Sequence, residues 1–306
     1  MRRFMWFSVL LSALTVATSV SAQDKLTLNQ TYREAVRLNF SVGLTQIPLP
    51  MGQWVLAGME NDTTSLGTPM MRGYLARTNS GSLTGLIWFS INTEFSSGTW
   101  PQSSFCEKEN LIFMKKIRNY SEDVDCWALD HRTMTAKSNR KAVMQLFDYL
   151  KRLKIEMPIT MVAVKYRKTD NSKQVSLNYY FNPEVEGFSP PKQASWRAND
   201  WHRDRIYLDP EKVAYVDRLK LWGREWKRNV DAGFEGELEK SKIAQPSVSP
   251  GTLIDIAPAA GGETTPATGG EGDIEARLTR LKKLFDGGLI TDSEYNEKRR
   301  EILKGL

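Results

Sequence analysis

The clearest pattern in the chain is an alternation of apolar and polar positions that recurs in short segments of its first two thirds. Residues 174–181 place an apolar side chain at every second position, residues 159–168 also divide into two faces, and the polar turn 169–172 joins them as a predicted β-hairpin. Strands joined by turns rather than by helices indicate antiparallel pairing. The other predicted strands are residues 53–56, and residues 72–77 and 83–93, which a turn at residues 79–81 joins as a second predicted hairpin.

Two longer segments have the periodicity of amphipathic helices. The first is predicted to begin after Ser138, as its N-cap, and to end at residues 157–158, where a proline follows Met157. Asp209 precedes a proline at the start of the second helix, and Gly233 and Gly236 are predicted to close it. Its apolar face consists of Val213, Val216, Leu219, Trp222, Trp226 and Val230.

Antiparallel strands with two main helices predict an α+β domain over residues 23–245. The formal net charge of the whole chain is +6, and part of it lies on the second helix, opposite the tryptophans. A cationic amphipathic helix can bind a membrane surface, but tryptophans at this spacing are more typical of a buried core. The basic residues of this face are Lys220, Arg224, Lys227 and Arg228.

The beginning of the sequence predicts a cellular location. Arg2 and Arg3 precede the mostly apolar residues 4–20, and small residues end at Ala22. This order is typical of a secretory signal peptide over residues 1–22. We therefore expect a periplasmic or secreted protein, with an uncleaved anchor as the alternative. That location disfavours nucleic acid as a partner.

Cys106 and Cys126 are the two cysteines of the chain. In an oxidising compartment such a pair predicts a disulfide, here closing a charged loop that we expect to be a surface excursion. Two alternatives use the same residues. Cys126 can act as a nucleophile with His131, or both cysteines can join His131 and His202 around a metal, although their separation is long for a zinc site.

The end of the sequence differs in composition from the main domain. Residues 246–272 are rich in Pro, Gly, Ala, Ser and Thr, which predicts a disordered linker. Residues 273–306 then predict two short helices, with glycines at 287–288 between them and a capping box from Thr291 to Glu294.

This C-terminal segment resembles the SHOCT family of short C-terminal domains. The resemblance lies in residues 281–303, including Gly288-Leu289-Ile290-Thr291 and the Glu294-Tyr295 pair, where the family prefers Glu-Phe. It implies a helical hairpin for oligomerisation or protein interaction, and docking on the main domain in cis is the alternative. The expected contact residues are Leu278, Leu281, Leu284, Leu289, Ile290, Tyr295, Ile302 and Leu303. The main domain resembles uncharacterised secreted bacterial proteins in residues 48–54 and in Cys126-Trp127, which implies no activity.

No catalytic motif, phosphate loop or dinucleotide fingerprint occurs in the sequence, so we predict neither a cofactor nor a metal. The leading hypothesis is a non-enzymatic envelope protein that associates with itself or another envelope protein through its tail. One alternative is a glycan- or lipid-binding module, since tryptophan faces stack on sugars and cations. Its predicted binding segment is Trp196, Arg197, Asn199, Asp200, Trp201 and His202. The other alternative is a hydrolase that uses His131 or His202.

Overall fold

The computed structural model describes most of the main domain and part of the tail. The described residues are 26, 28–29, 31–32, 41–43, 45–96, 100–134, 138–238, 243, 245–246, 278, 281–282, 285 and 292–303. The predicted signal peptide 1–22 lies outside them, as does the linker 246–272 apart from its first residue.

One antiparallel sheet of eight strands organises the main domain, in the order β1-β4-β5-β6-β10-β9-β8-β7. The two-residue strands β2 and β3 pair separately. The strands are β1 Thr31–Tyr32, β2 Ser41–Val42, β3 Thr45–Gln46, β4 Trp54–Thr63, β5 Pro69–Asn79, β6 Ser82–Asn92, β7 Phe113–Tyr120, β8 Asp123–Thr133, β9 Thr160–Thr169 and β10 Gln174–Phe181. Together with its helices this sheet confirms the predicted α+β class.

The predicted hairpins are present. In the first hairpin, β9 and β10 pair in register from Thr169, which lies opposite Gln174. In the second, β5 turns into β6 at Ser80 and Gly81, which both lie in the left-handed region at φ 47° and 79°. The predicted strand 53–56 is the first part of the longer β4.

The prediction of a surface excursion between the cysteines was wrong. Most of that segment forms β7 and the start of β8, and the two strands pair with each other at the edge of the sheet. Lys115, Lys116 and Arg118 are exposed on β7 because an edge strand faces solvent, and their charge obscured the strand pattern.

The long second helix, predicted from Asp209 onward, is also confirmed. The helices are α1 Lys141–Arg152, α2 Arg203–Ile206, α3 Pro210–Glu235 and α4 Asp292–Leu303. Asp209 caps α3 by accepting hydrogen bonds from the amides of Glu211 and Lys212, and Gly236 ends it at φ 76°. Gly233, predicted to close the helix, lies inside it, where a Cβ would be 2.2 Å from the Gln46 carbonyl oxygen.

Both predicted ends of the first helix were wrong. Arg140, not Ser138, is the N-cap residue of α1, and its side chain makes no capping hydrogen bond. The cap comes from another element, because the Glu60 carboxylate on β4 accepts from the amide of Ala142 at 3.2 Å. The helix ends at Arg152, well before residues 157–158, because Lys154 turns into the left-handed region at φ 56°.

The two faces of the sheet differ in their cover. α3 packs its tryptophans, Trp222 and Trp226, on one face, which holds the larger apolar core. α1 covers only part of the other face, over β4 and β5, with a smaller core around Leu146 and Leu150. Burial of both tryptophans agrees with the core interpretation of this helix. Among the described residues, no helix is both long and apolar enough to cross a membrane.

Candidate functional site

The predicted binding segment divides into structural and exposed residues. Asn199 and Trp201 are fully buried, so they cannot contact a ligand at the surface. The Asn199 side-chain amide donates to Thr160 Oγ1 at 2.7 Å, and its carbonyl accepts from the Trp201 amide at 3.0 Å. Their role is therefore to fix this loop on the sheet. The order of polar and aromatic residues in this segment could not distinguish a residue that anchors the loop from one that contacts a ligand.

Trp196 and His202 do border a groove, together with Arg197. Trp196 stacks on His131 with ring centroids 5.4 Å apart and meets His202 edge-on at 4.5 Å. Asp200 lies outside the lining, so three of the six predicted residues reach this surface. The groove has a volume of about 710 Å³ and is lined by Glu109, Asn110, Trp196, Arg197, His202, Arg203, Asp204 and Arg205.

The disulfide between Cys106 and Cys126 is present, with the two Cα atoms 5.9 Å apart. It occupies both sulfur atoms, which leaves no thiolate for the nucleophile or metal alternatives. His131 is buried, and its Nε2 lies 3.0 Å from the carbonyl oxygen of Trp196. Within the described part of the chain, no group of three or more His, Cys, Asp or Glu residues is placed to hold a metal ion.

A second, more enclosed cleft lies on the face of the sheet that α1 only partly covers. Its volume is about 660 Å³, within the range of about 300–1,000 Å³ that is usual for small-molecule sites. Its apolar wall is formed by α1 and the adjoining loop through Met134, Val143, Leu146 and Phe147. The opposite rim is the short 3-10 turn Ser104–Glu107, which contributes Phe105.

The floor of this cleft is polar where a central sheet face is usually apolar. Neighbouring strands β6, β10 and β9 place there the residues Trp88, Ser90, Ser176, Asn178, Tyr180, Lys165 and Arg167. Ser176, Asn178 and Lys165 are buried, so their polar groups lie beneath the cleft rather than on open surface. Polar groups concentrated on a buried face point to a ligand site.

Cations dominate the lining of the cleft. Its basic residues are Arg72, Lys108, Arg132, Arg140, Lys165 and Arg167, and its one acidic lining residue is Glu60. Three of these cations have a carboxylate partner. Arg72 pairs with Asp62, Arg140 pairs with Glu60, and Lys165 pairs with Asp130. Within the described residues, Lys108, Arg132 and Arg167 have none, so the cleft carries net positive charge.

Arg167 is the central cation of the floor. Its guanidinium lies 4.4 Å from the ring centroid of Phe105 and 5.7 Å from that of Trp88. Only Nη1 donates hydrogen bonds within the described structure, to Asn178 Oδ1 at 2.9 Å and to two backbone carbonyls. Burial lowers the pKa of the Arg167 guanidinium to about 10, so it remains charged at neutral pH. Its other donor groups have no hydrogen-bond partner among the residues that the structure describes.

The Lys165 ammonium is held differently, 2.7 Å from Asp130 Oδ2. Burial raises the pKa of Asp130, but the nearby His131 and Lys165 outweigh this, and the pKa lies below its ordinary range. For Lys165, burial outweighs the attraction of Asp130, so its pKa is lowered. His131 Nδ1 is 3.5 Å from Asp130 Oδ1, too far for a good hydrogen bond, and neither atom has another hydrogen-bond partner among the described residues. The Lys165–Asp130 ion pair therefore neutralises one side of the cleft.

The sequence contained a signal for this site that our interpretation missed. The second face of β9 carries Lys165 and Arg167, and that of β10 carries Ser176 and Asn178. Apolar residues on the α3 face of both strands explain the sheet, whereas polar residues on the opposite face of two central strands require another explanation. Phe105 could not be found this way, because it lies outside the strands, in the 3-10 turn Ser104–Glu107.

Four of the predicted contact residues of the tail have described side chains. Leu281 is buried, whereas Leu278, Tyr295 and Ile302 are partly buried. Phe285 stacks on Tyr295 with centroids 4.6 Å apart, and Lys298 lies 4.8 Å from the ring centroid of Tyr207 in the main domain. Leu303 belongs to α4, but its side chain is not described. Leu284, Leu289, Ile290 and Thr291 lie outside the described residues.

Comparison with known families identifies the tail. Residues 276–303 match the model of SHOCT, described as a short C-terminal domain. This confirms the resemblance suggested by the sequence of that segment. No curated protein and no solved structure matches the chain significantly.

Proposed function

We propose that this protein is a non-enzymatic binding protein that holds a small anionic amphiphile in the cationic cleft. The observation that carries the proposal is Arg167, a guanidinium on the cleft floor that contacts two aromatic rings and has no carboxylate partner in the described structure. A partly buried cation without a counter-ion is costly, and a bound anion removes that cost. Charge-assisted hydrogen bonds to such an anion are also strong.

The shape of the cleft suggests the rest of the ligand. Lys108 and Arg132 add positive charge, while Val143, Leu146 and Phe147 provide an apolar wall on the α1 side. An inorganic ion would leave that wall uncovered, and a neutral lipid would leave the cations unpaired. The ligand class that uses both is an anionic headgroup on a short alkyl chain or ring.

Isothermal titration calorimetry with alkyl phosphates and alkyl carboxylates tests this proposal. We expect octyl phosphate or decanoate to bind the purified protein, and their comparison separates phosphate from carboxylate headgroups. Inorganic phosphate and octanol, which each lack one part, should bind more weakly. Absence of binding by both amphiphiles, or equal binding of octanol, would contradict the proposal.

Arginine variants locate the site. Arg167→Gln should weaken binding by at least about tenfold, the value of one charged hydrogen bond. Arg197→Gln is the matched control, because Arg197 is exposed in the separate groove beside Trp196. If Arg197→Gln weakens binding and Arg167→Gln does not, the ligand site is the groove and not the cleft.

We further propose that the protein acts in the periplasm or outside the cell. The signal-peptide pattern of residues 1–22 and a disulfide both support an oxidising compartment. Immunodetection in fractionated cells tests this, and retention of the full-length chain in the cytoplasm would contradict it.

A second proposal is that the C-terminal segment mediates association with another copy or another envelope protein. The family match over residues 276–303 and the Phe285–Tyr295 contact between its helical parts support it. Light scattering after size exclusion should show a multimer that becomes a monomer when residues 273–306 are deleted. Deletion of residues 304–306 alone is the control. An unchanged mass after the longer deletion would contradict self-association.

Tyr207→Ala distinguishes association from docking in cis. Lys298 contacts Tyr207 in the same chain, so loss of this ring should release a tail that is docked. If docking competes with association, the variant should form more multimer than the wild-type protein. Phe95→Ala, which removes an exposed ring elsewhere, should leave the mass distribution unchanged.

A further inference from the structure

The disulfide lies directly beside the central cation of the cleft. Cys126 on β8 pairs in register with Arg167 on β9, so their side chains are cross-strand neighbours on the same face of the sheet. Cys106 belongs to the 3-10 turn Ser104–Glu107, and the bond ties this turn to β8. The residue that precedes Cys106 is Phe105, whose ring lies over Arg167.

A small apolar cluster around the disulfide supports Phe105 over the cleft. Both cysteines are buried and form a small apolar cluster with Val124, against which Phe105 and Met114 pack. This cluster is separate from the two larger cores of the domain. The disulfide is therefore part of the apolar attachment of this turn to the sheet.

A second attachment of the same turn is polar. The Asn119 side chain accepts from the Ser103 amide at 2.8 Å and donates to Glu107 Oε1 at 2.6 Å. Glu107 also pairs with Lys116 on β7 at 2.8 Å, but both of these side chains are exposed. Exposed ion pairs contribute little to stability, so the Glu107–Lys116 pair adds little to this clamp, whose firmer part is the hydrogen bonding of the buried Asn119 side chain to Ser103.

We propose that the Cys106–Cys126 disulfide positions Phe105 as the aromatic cover of the anion site, so that reduction of this bond weakens ligand binding. The inference rests on the proposed function of the cleft. A dithiol supplies two electrons and two protons, the S–S bond breaks, two cysteine thiols form, and the dithiol becomes a cyclic disulfide. The turn is then held by the Asn119 clamp, and Phe105 covers Arg167 for a smaller fraction of the time.

The cover matters because it excludes water from the guanidinium. An aromatic face over a cation stabilises it electrostatically, and exclusion of water strengthens the interaction of that cation with a bound anion. Because Phe105 also lies 6.0 Å from the Lys165 ammonium, the same ring borders the neutralised side of the floor. Loss of the cover should therefore affect binding of the anionic headgroup more than contact with the alkyl chain.

The test compares affinity for octyl phosphate in oxidised protein, protein reduced with a dithiol, and a Cys106→Ala/Cys126→Ala variant, with folding checked by circular dichroism. We expect the reduced protein and the variant to bind about tenfold more weakly. Phe105→Ala in oxidised protein should lose a similar factor, and Phe95→Ala should lose none. Adding Phe105→Ala to the alanine pair should cause little further loss, because both changes remove the same cover.

The outcomes separate this inference from the function on which it rests. No binding by oxidised wild-type protein contradicts the proposed function itself. If oxidised and reduced protein bind equally well, or if Phe105→Ala binds as well as wild-type protein, the inference is overturned and the proposed function stands. If the alanine pair does not fold, Phe105→Ala in oxidised protein carries the test, because it removes the aromatic cover and keeps the disulfide. Unchanged affinity in that variant overturns the inference.

Discussion

Gly58 on β4 lies against the backbone of Ala142 in the first turn of α1. A Cβ atom at Gly58 would be 2.1 Å from the Ala142 carbonyl oxygen, well inside van der Waals contact. The close approach lets α1 rest on β4 and form the apolar wall of the cleft. It coincides with the register shift between Leu56 and Gly58, where Met59 donates its amide to Gln145 Oε1 at 2.9 Å.

Replacement of Gly58 should therefore destabilise the domain and open the cleft. We expect Gly58→Ala to lower the free energy of unfolding by about 1–3 kcal/mol, because backbone atoms on both sides must move apart. Urea denaturation measures this. Gly67→Ala is the control: no atom lies within 4 Å of its added Cβ, so only its φ of +83° is unfavourable, at about 1 kcal/mol. Equal losses in both variants would contradict the steric explanation.

Glu60 gives a second prediction about α1. Its carboxylate accepts from the Ala142 amide and pairs with Arg140 at 3.1 Å. Glu60→Ala should cost about 1–2 kcal/mol of unfolding free energy, the usual value of an N-cap. Glu60→Gln should cost less, because the side-chain amide oxygen can still accept from Ala142. Chemical denaturation of both variants is the measurement, and a loss as large in the glutamine variant as in the alanine variant would show that the charge, not the cap, is decisive.

The sequence predicted those elements whose signals are local. The alternation of Val175, Leu177 and Tyr179 and the cap at Asp209 depend on neighbours in the chain, and both were interpreted correctly. The cap of α1 by Glu60 joins residues far apart in sequence, so no local pattern contained it. β7 was missed because most side chains of this edge strand are exposed, so its sequence lacks the alternation of apolar and polar residues that marks a strand with one buried face.

The candidate site was less predictable than the fold. Trp196 and His202 do border a groove, but Asn199 and Trp201 proved to be anchors, since burial decides the role of a tryptophan or an asparagine. The cleft required the order of the strands, because Arg167 and Trp88 lie on strands β9 and β6, which β10 separates. Only the folded sheet brings Trp88 beside the Arg167 guanidinium, which lies under Phe105.

The buried ion pair on the cleft floor should be sensitive to both mutation and acid. Asp130→Asn leaves the buried Lys165 ammonium without its partner and should cost about 3 kcal/mol or more. The pKa of Asp130 is lowered on folding, so its contribution is present above its unfolded pKa, about 3.9, and is lost as pH falls through the folded value.

The measurement is the urea midpoint of wild-type protein and Asp130→Asn between about pH 7 and pH 2. The difference between them should be constant near neutral pH and shrink only below about pH 4, where the wild-type carboxylate takes up a proton. Asp200→Asn, at a partly exposed position outside the cleft, should follow the wild-type curve. A difference that already shrinks between pH 7 and pH 5 would mean that the pKa of Asp130 is not lowered.

His202 offers a direct test of the aromatic groove. Burial lowers the pKa of its imidazole and outweighs the attraction of Asp204, so it should titrate below its ordinary value of 6.5. The chain has two histidines, so its NMR spectrum contains two sets of imidazole signals, and His131→Gln assigns them.

The lowered pKa of His202 makes the fold less stable in acid. Because the unfolded chain binds this proton more tightly, His202 makes no difference to stability well above pH 6.5 and destabilises the fold as pH falls through that value. Asp204→Asn removes the attraction and should lower the titration midpoint further, whereas Asp200→Asn should leave it unchanged. A midpoint at or above 6.5 in the wild-type protein would show that burial of His202 does not outweigh the attraction of Asp204.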